Sequence, residues 1–316
     1  MSKDDIPTTG SAREPDGEWI PQWPQKLRWV GLLSALLMVF FAVLTPVALA
    51  KGIADGSPVT AVGLVGVGVT CAAAAVGMFG DAGFRYLGLS KQVTDHEDPR
   101  FGRGVRIGQR RFTFIVIVIA LAGVTLYATL AAFAWTGGYG GQLLPEGRND
   151  RSGVLFIVVI AVVLATALVL ILVVRNDSFV TLDERGIHRT VRRRRLLRVD
   201  TVDSFLGWRE IEGIIADDYV VHVGRSTANP IIRVVHHKSE LDGQLFGQDR
   251  KGEMVVLAYQ LVSEPNTLLG LLNSLLANPD ARSSLVGAEA TELLRPPPLF
   301  MRLKGSDDQA VRHTDR

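Results

Sequence analysis

The sequence contains a single cysteine, Cys71, and six histidines among 316 residues. A lone thiol cannot form a disulfide within the chain, and zinc sites built from several thiolates are excluded for the same reason. The adjacent histidines His236 and His237 would point to opposite faces of a strand, so they cannot easily bind one ion together. We therefore expect no metal site.

The chain also lacks the residue patterns that carry catalysis or bind nucleotide phosphates. No Ser-His-Asp or paired-carboxylate spacing is found along it. Gly102, Gly104 and Gly108 alternate with arginines, but they do not follow a predicted strand and precede a helix within one unit, as a phosphate-binding loop requires. We predict that the protein is not an enzyme and needs no cofactor.

Charged residues make up 21% of the chain, yet four long stretches contain none. They cover residues 30–50, 59–80, 112–135 and 154–174, and a helix needs about 20 residues to cross a bilayer. Core helices of a soluble protein would show shorter runs and a polar stripe. A cleavable signal peptide would start with a short basic segment, whereas mostly polar residues precede the first stretch. The sequence therefore predicts four transmembrane helices.

Basic residues are distributed unevenly between the connections of these helices. The connection 81–111 carries seven, whereas 51–58 carries one and 136–153 carries two. The 29 residues at the start of the sequence carry four, and the chain from Arg175 onward carries twenty. Cytoplasmic segments are enriched in Lys and Arg. We predict a multi-pass protein of a bacterial inner (plasma) membrane with both termini and the middle connection in the cytoplasm.

Two tryptophans, Trp19 and Trp23, precede the first predicted helix. Indole rings prefer the headgroup level of a bilayer, so one interpretation is an interfacial segment before that helix. The alternative is a disordered tail that prolines interrupt at positions 21 and 24.

The predicted transmembrane helices lack the ionisable side chains that usually mark transport and conduction pathways. The second helix instead contains closely spaced small residues, which let helix backbones approach one another. We interpret it as the central helix of the bundle, with an interface to a partner as the alternative. The helix-packing candidates are Gly63, Gly66, Ala73 and Gly77.

The chain from Arg175 onward changes in composition and predicts a folded cytoplasmic domain. It has 20 basic and 20 acidic residues, and short β-like runs alternate with turn residues. A leucine-rich segment then follows a helical period, with Ser263 as the predicted N-cap and Asn278 as the stop. We predict an α+β domain over 175–282, an antiparallel sheet or open barrel capped by one helix, and a disordered tail over 283–316.

Three segments of this domain resemble bacterial pleckstrin-homology-like (PH-like) domains. Residues 179–187, FVTLDERGI, look like their opening hairpin, and residues 207–214, GWREIEGI, resemble their later segment of tryptophan, acid and isoleucine. The leucine-rich helix falls where that fold has its capping helix. The resemblance covers 179–282 and implies a fold more than an activity, because members of this family are mostly of unknown function.

An arginine-rich run is the strongest local signal in the domain. A guanidinium group can donate two parallel hydrogen bonds to one phosphate, and each basic residue near an anionic leaflet adds about 1 kcal/mol of attraction. In a PH-like domain the run would lie at an early connection between strands, where eukaryotic relatives hold inositol phosphates. The alternative is a solvated hairpin that serves only as a topology signal. The candidate headgroup-binding residues are Arg189, Arg192, Arg193, Arg194, Arg195 and Arg198.

These patterns predict a non-enzymatic membrane protein whose partners are the lipid bilayer and either anionic lipid headgroups or a protein in the membrane. An accessory subunit of a larger membrane complex or transporter is the alternative. Nucleic acid is not expected as a partner, because the domain is neutral and shows no face rich in aromatic residues.

Overall fold

The computed structural model describes residues 21–23, 25–54, 58–100, 102–138, 150–195, 198–223, 225–238, 242–243, 249–287 and 289–303. These residues form two compact units. The helical unit comprises Leu27–Arg85 and Arg111–Arg175. The sheet unit comprises the residues up to Lys26, Tyr86–Arg110 and the chain from Asn176 onward, so it is assembled from three separate stretches of chain.

The helical unit contains four long helices, α1 (Trp29–Ala54), α2 (Pro58–Asp81), α3 (Phe112–Thr136) and α4 (Arg151–Val173). All four are long and apolar enough to cross a membrane, so the four predicted apolar helices are confirmed. Asp150 caps α4, because its side chain accepts a hydrogen bond at 2.8 Å from the backbone N–H of Gly153, which has no partner within the helix.

The four helices pack in chain order. α2 lies between α1 and α3, and α4 packs on α3. Gly66 of α2 permits a close approach to α3, since a Cβ atom at this position would lie 2.7 Å from the carbonyl oxygen of Gly123. The hydroxyl of Thr70 lies 3.2 Å from the carbonyl oxygen of Ala120, within hydrogen-bond distance across the same contact. Small residues are thus what brings the two helices together.

The sheet unit contains nine described strands, β1 (Val93–Asp98), β2 (Gly102–Ile107), β3 (Val174–Asp183), β4 (Gly186–Arg195), β5 (Arg198–Gly207), β6 (Ile211–Val223), β7 (Arg225–His236), β8 (Asp242–Gly243) and β9 (Glu253–Val256). They form two antiparallel sheets with the orders β1-β2-β3-β4-β5-β8 and β6-β7-β9. Over the described strands neither sheet closes into a barrel. The predicted antiparallel sheet is therefore confirmed as two sheets.

The connection between α2 and α3 contributes the hairpin β1–β2 to the first sheet. β2 pairs with β3, so that Gly104 lies opposite Asp183 and Ile107 opposite Val180. Ile107 is fully buried in the core. This hairpin is not predicted from the sequence, because the glycine- and arginine-rich composition of the connection has little β propensity. A fragment that started at residue 175 would lack both strands.

One hydrophobic core joins the two sheets to the helix α5 (Pro265–Ala277). α5 buries Leu268, Leu269, Leu272 and Leu275, which all belong to the predicted apolar face. Burial of a leucine side chain contributes roughly 2 kcal/mol, so this face holds α5 on the sheets. The predicted N-cap is wrong by one residue, since the carboxylate of Glu264 accepts the hydrogen bond from the backbone N–H of Thr267 at 2.6 Å.

The segment 283–303, for which the sequence predicts a disordered tail, packs on the same core. It includes the end of one short 3₁₀ helix, Pro279–Leu285, and all of a second, Ala290–Leu294. Leu285, Ala290 and Leu294 are each buried. Their burial removes apolar surface from water, which outweighs the polar and proline-rich composition around them. Residues 304–316 lie outside the described part of the chain.

Candidate functional site: the arginine hairpin and the neighbouring sheet face

The arginine-rich run lies on the antiparallel hairpin of β4 and β5. Their register places Arg189 opposite Ser204 and Arg195 opposite Arg198, so the connection consists of Leu196 and Leu197, whose structure is not described. Side chains alternate between the two faces of a strand. Positions 187, 189 and 191 of β4 are therefore buried in the core, whereas the side chains of Arg192 and Arg194 are exposed.

Arg189 is a buried part of the core. Its guanidinium group donates two hydrogen bonds of 2.6 Å to the carboxylate of Asp249, and the side chain of Asp249 is itself inaccessible to solvent. It also donates to the carbonyl oxygen of Val255 at 2.7 Å and to the hydroxyl of Ser204 at 3.1 Å. These bonds compensate the charge inside the domain, so we exclude Arg189 from the candidate headgroup-binding residues.

Three of the predicted arginines are exposed near the end of the hairpin, Arg192 and Arg194 on one face and Arg198, which lies opposite Arg195, on the other. Arg193 is half-buried and lies opposite Asp200 on β5. The side chain of Arg195 lies outside the described part of the structure. The exposed arginines adjoin the Leu196-Leu197 connection, which is apolar in sequence.

The sheet face that carries Arg192 also carries an aromatic ring and a second arginine from the neighbouring strands. The Cζ atom of Arg106 on β2 lies 3.6 Å from the centroid of the Phe179 ring on β3. The Cζ atom of Arg192 on β4 lies 5.7 Å from the same centroid. We call these three residues the Arg–Phe–Arg stack. Arg106 is not among the predicted site residues, because nothing in the sequence alone indicates that β2 pairs with β3.

Electrostatic effects on this face are dominated by burial and by neighbouring positive charge. Burial lowers the pKa of Arg106, and the positive charge of Arg192 lowers it further. The pKa of His188 is also lowered, mainly because burial disfavours the imidazolium form. The carboxylate of Asp203, 3.7 Å from Nε2 of His188, acts in the opposite direction. The face thus carries two cations at the stack, and it also carries carboxylates, Asp177 on β3 and Asp203 on β5.

The N-terminal segment is bound to the sheet unit through Trp23. The side-chain amide of Asn266 accepts a hydrogen bond from the backbone N–H of Trp23 at 2.9 Å and donates one to its carbonyl oxygen at 3.0 Å. The indole N–H donates to the carboxylate of Asp218 at 3.1 Å. Trp23 therefore belongs to a folded unit and not to a disordered tail, and Trp19 lies outside the described residues.

Arg302 joins the three stretches of chain that form the sheet unit. It is 1% exposed, and its guanidinium group donates to the side chain of Gln25 at 2.9 Å and to the carbonyl oxygen of Tyr86 at 2.8 Å. Burial lowers its pKa, and the nearby carboxylate of Glu264 acts in the opposite direction. Segments that precede α1, follow α2 and end the described chain therefore meet at one side chain.

The helix-packing candidates lie at two of the helix contacts. Gly66 faces α3, as does Gly77, where a Cβ atom would lie 3.0 Å from the Val116 side chain. Gly63 and Ala73 are buried. Gly68 was not predicted as a packing residue, although a Cβ atom there would come within 3.0 Å of Cβ of Thr45 on α1. These contacts are all internal to the helical unit.

A polar pocket of about 410 Å³ lies beside the β1–β2 hairpin. It is lined by Asp95, His96, Glu97 and Arg103, among others, and a 3.3 Å ion pair joins Arg103 to Glu97. Within the described ranges no group of three His, Cys, Asp or Glu residues is arranged to hold a metal ion.

No protein-family model, curated protein or solved structure matches this chain. Its class is therefore defined by architecture: four long apolar helices, followed by a unit of two antiparallel sheets and a packed helix.

Proposed function

We propose that the chain is a non-enzymatic, multi-pass protein of a bacterial plasma membrane, and that its PH-like domain binds anionic lipid headgroups. Both termini and the sheet unit would be cytoplasmic. The observation that carries the proposal is the exposure of Arg192, Arg194 and Arg198 on the two faces of the β4–β5 hairpin, beside its connection.

The physical basis is electrostatic attraction between the hairpin and an anionic leaflet. Guanidinium groups donate paired hydrogen bonds to phosphate oxygens, and each adds about 1 kcal/mol near such a leaflet. The exposed side chain of Val199 and the two leucines of the connection add apolar groups that favour the headgroup boundary. Arginines next in sequence to an apolar connection suit a lipid surface better than a soluble ligand.

The PH-like assignment is supported by the order of the elements. Two of the three segments with the family resemblance lie on β3–β4 and across the β5–β6 junction, and the third, α5, follows the last strand. The β1–β2 hairpin from the middle connection would be an addition to that fold.

The test uses the full-length protein in detergent, because the sheet unit needs residues on both sides of the helices. Binding of dioctanoyl phosphatidylglycerol and dioctanoyl phosphatidylcholine is measured by microscale thermophoresis at low and high salt. We expect a preference for the anionic lipid that salt weakens, since exposed charges are screened over about 8–10 Å.

The variant Arg194→Ser with Arg198→Ser should weaken phosphatidylglycerol binding by roughly 30-fold, which corresponds to about 1 kcal/mol for each residue. Phosphatidylcholine binding should not change. Arg209→Ser with Arg250→Ser is the matched control, because it removes two exposed arginines elsewhere in the sheet unit. If both double variants lose the same phosphatidylglycerol affinity, net charge alone explains the binding and the hairpin is not a specific site.

The second candidate function is an accessory subunit of a larger membrane complex. An apolar groove between α3 and α4, lined by residues such as Ala132, Phe133, Val158 and Ala165, favours this alternative. Purification from native membranes in mild detergent distinguishes the two functions. A stoichiometric protein partner would support the subunit, and a solitary protein with bound anionic lipid would support the first proposal.

A further inference from the structure

The Arg–Phe–Arg stack holds two cations in a fixed arrangement on three adjacent strands. Guanidinium groups are planar and stack on aromatic faces, which restrains the plane while the N–H edges remain able to donate. Arg106 lies directly over the Phe179 ring at 3.6 Å, and Arg192 lies at 5.7 Å from its centroid. Both guanidinium groups therefore lie beside one ring, on the same face of the sheet.

Neither Arg106 nor Arg192 forms an ion pair among the described residues, although Asp177 lies on the same face, two residues before Phe179. The ion pairs of this sheet include those of Arg103 with Glu97, His188 with Asp203 and Arg189 with Asp249. The effect of Arg192 on the pKa of Arg106 reflects repulsion between the two cations. Binding of an anion between them would relieve that repulsion.

We propose that the Arg–Phe–Arg stack binds a phosphomonoester dianion, an inference that rests on the proposed function and specifies its ligand class. A phosphomonoester carries about −1.5 to −2 charges at pH 7 and has three acceptor oxygens, so it can accept hydrogen bonds from two guanidinium groups at once. A phosphodiester has one negative charge and matches a single arginine. The stack should therefore prefer the monoester. The phosphate could belong to a lipid headgroup or to a soluble phosphate ester, and the experiment separates the two sources.

The experiment measures thermophoretic binding of three probes to the full-length protein in detergent. The probes are dioctanoyl phosphatidic acid, dioctanoyl phosphatidylglycerol and inorganic phosphate. We expect phosphatidic acid to bind at least 10-fold more tightly than phosphatidylglycerol. Binding of inorganic phosphate with an affinity similar to that of phosphatidic acid would assign the site to soluble phosphates, whereas binding of phosphatidic acid alone would assign it to a lipid.

Three variants test the residues of the site. Arg106→Gln should weaken phosphatidic acid binding at least 10-fold and change phosphatidylglycerol binding by less than threefold, since Arg194 and Arg198 are retained. Phe179→Leu keeps both charges but removes the ring, and should weaken phosphatidic acid binding several-fold. Arg103→Gln is the matched control on the same strand, because Arg103 pairs with Glu97, and it should change phosphatidic acid binding by less than twofold.

The results separate this inference from the proposed function. The phosphomonoester site would be overturned if the wild type bound both lipids with equal affinity, or if Arg106→Gln bound phosphatidic acid as tightly as the wild type does. Either result would leave the proposed headgroup binding by the β4–β5 hairpin unaffected. If phosphatidic acid binding depends on Arg106 but the protein does not bind phosphatidylglycerol, the stack is supported and the proposed headgroup binding by the hairpin is overturned. If Arg106→Gln lowers the melting temperature, Phe179→Leu and Arg192→Gln decide the question.

Discussion

Strand β4 carries one arginine in the protein core, Arg189, and another on the surface, Arg192. Arg189 and Arg192 are separated by an odd number of positions, so their side chains leave opposite faces of the sheet. Arg189 enters the core and meets the buried carboxylate of Asp249, whereas Arg192 is exposed beside Phe179. Arg189 therefore contributes to stability and Arg192 to the surface charge.

We predict that Arg189→Met strongly destabilises the sheet unit. The substitution leaves the Asp249 carboxylate buried without its cation, and breaking such a pair costs about 3–5 kcal/mol. We expect the melting temperature to fall by about 10 °C. Tryptophan fluorescence of the full-length protein monitors the unfolding. Arg194→Gln, at an exposed position, should have little effect, and Asp249→Leu added to Arg189→Met should recover part of the loss. An unchanged melting temperature for Arg189→Met would contradict the buried pair.

A second residue-scale prediction concerns Asp183, at the turn between β3 and β4. Its Oδ1 accepts hydrogen bonds from the backbone N–H groups of Arg185 and Gly186 at 2.8 and 2.9 Å, whereas Oδ2 has no partner among the described residues. Burial raises the pKa of this carboxyl above its ordinary value of 3.8, although the two N–H groups act in the opposite direction. The folded state therefore binds more protons than the unfolded state between these two values. Stability contributed by the protonated form is lost as pH rises through the raised pKa.

We expect Asp183→Asn to raise the melting temperature at pH 7, because the amide oxygen can accept the same two hydrogen bonds without a buried charge. The difference from the wild type should shrink as pH falls toward 3.8. Asp183→Ala should instead be destabilising by about 1–3 kcal/mol, since it leaves buried N–H groups without an acceptor. Thermal melts between pH 7 and pH 3.8 check the predictions for both variants. If Asp183→Asn is less stable than the wild type at every pH, burial of a charged carboxylate does not limit stability at this turn.

At the scale of elements, hydrophobic patterns predict those parts of the fold whose residues are consecutive. The four apolar helices and the leucine-rich α5 follow directly from uncharged runs and a helical period. The hairpin β1–β2 does not, because its stability depends on pairing with β3, which lies about 75 residues away in sequence. The candidate site divides in the same way. The arginine run is visible in the sequence, but the burial of Arg189 and the proximity of Arg106 depend on strand register.

We predict that Gly104→Ala disrupts the attachment of this hairpin. A Cβ atom at Gly104 would overlap the backbone carbonyl oxygen of Leu182 and lie 2.9 Å from Cα of Asp183, so β2 would have to move away from β3. Overpacking of this kind typically costs about 1–3 kcal/mol. Limited proteolysis of the full-length protein should then cleave within 86–110 faster than in the wild type. Gly88→Ala is the control, because no atom lies within 4 Å of its Cβ position, and equal cleavage of both variants would argue against β2–β3 pairing.

At the scale of the whole molecule, the sheet unit constrains how the chain can cross a membrane. Strands of one sheet must lie in the same compartment, so the connection between α2 and α3 and the chain after α4 share a side. The hydrogen bonds of Trp23 with Asn266 and of Arg302 with Gln25 place the segment before α1 there as well. This common side agrees with the high content of basic residues in all three segments, although the two arguments are independent.

The final prediction assigns that common side to the cytoplasm. In a variant with Cys71→Ala, single cysteines are introduced at Gly141, Ser90 and Ser283, and intact cells are treated with a membrane-impermeant thiol reagent. Position 141, between α3 and α4, should react, whereas positions 90 and 283 should react only after permeabilisation. The basic residues predict this orientation, since seven lie in 81–111 and two in 136–153. If positions 90 and 283 react in intact cells and position 141 does not, the predicted orientation is wrong but the shared sheet is still supported. Different reactivity of positions 90 and 283 in intact cells would contradict the sheet itself, because paired strands cannot be separated by a bilayer.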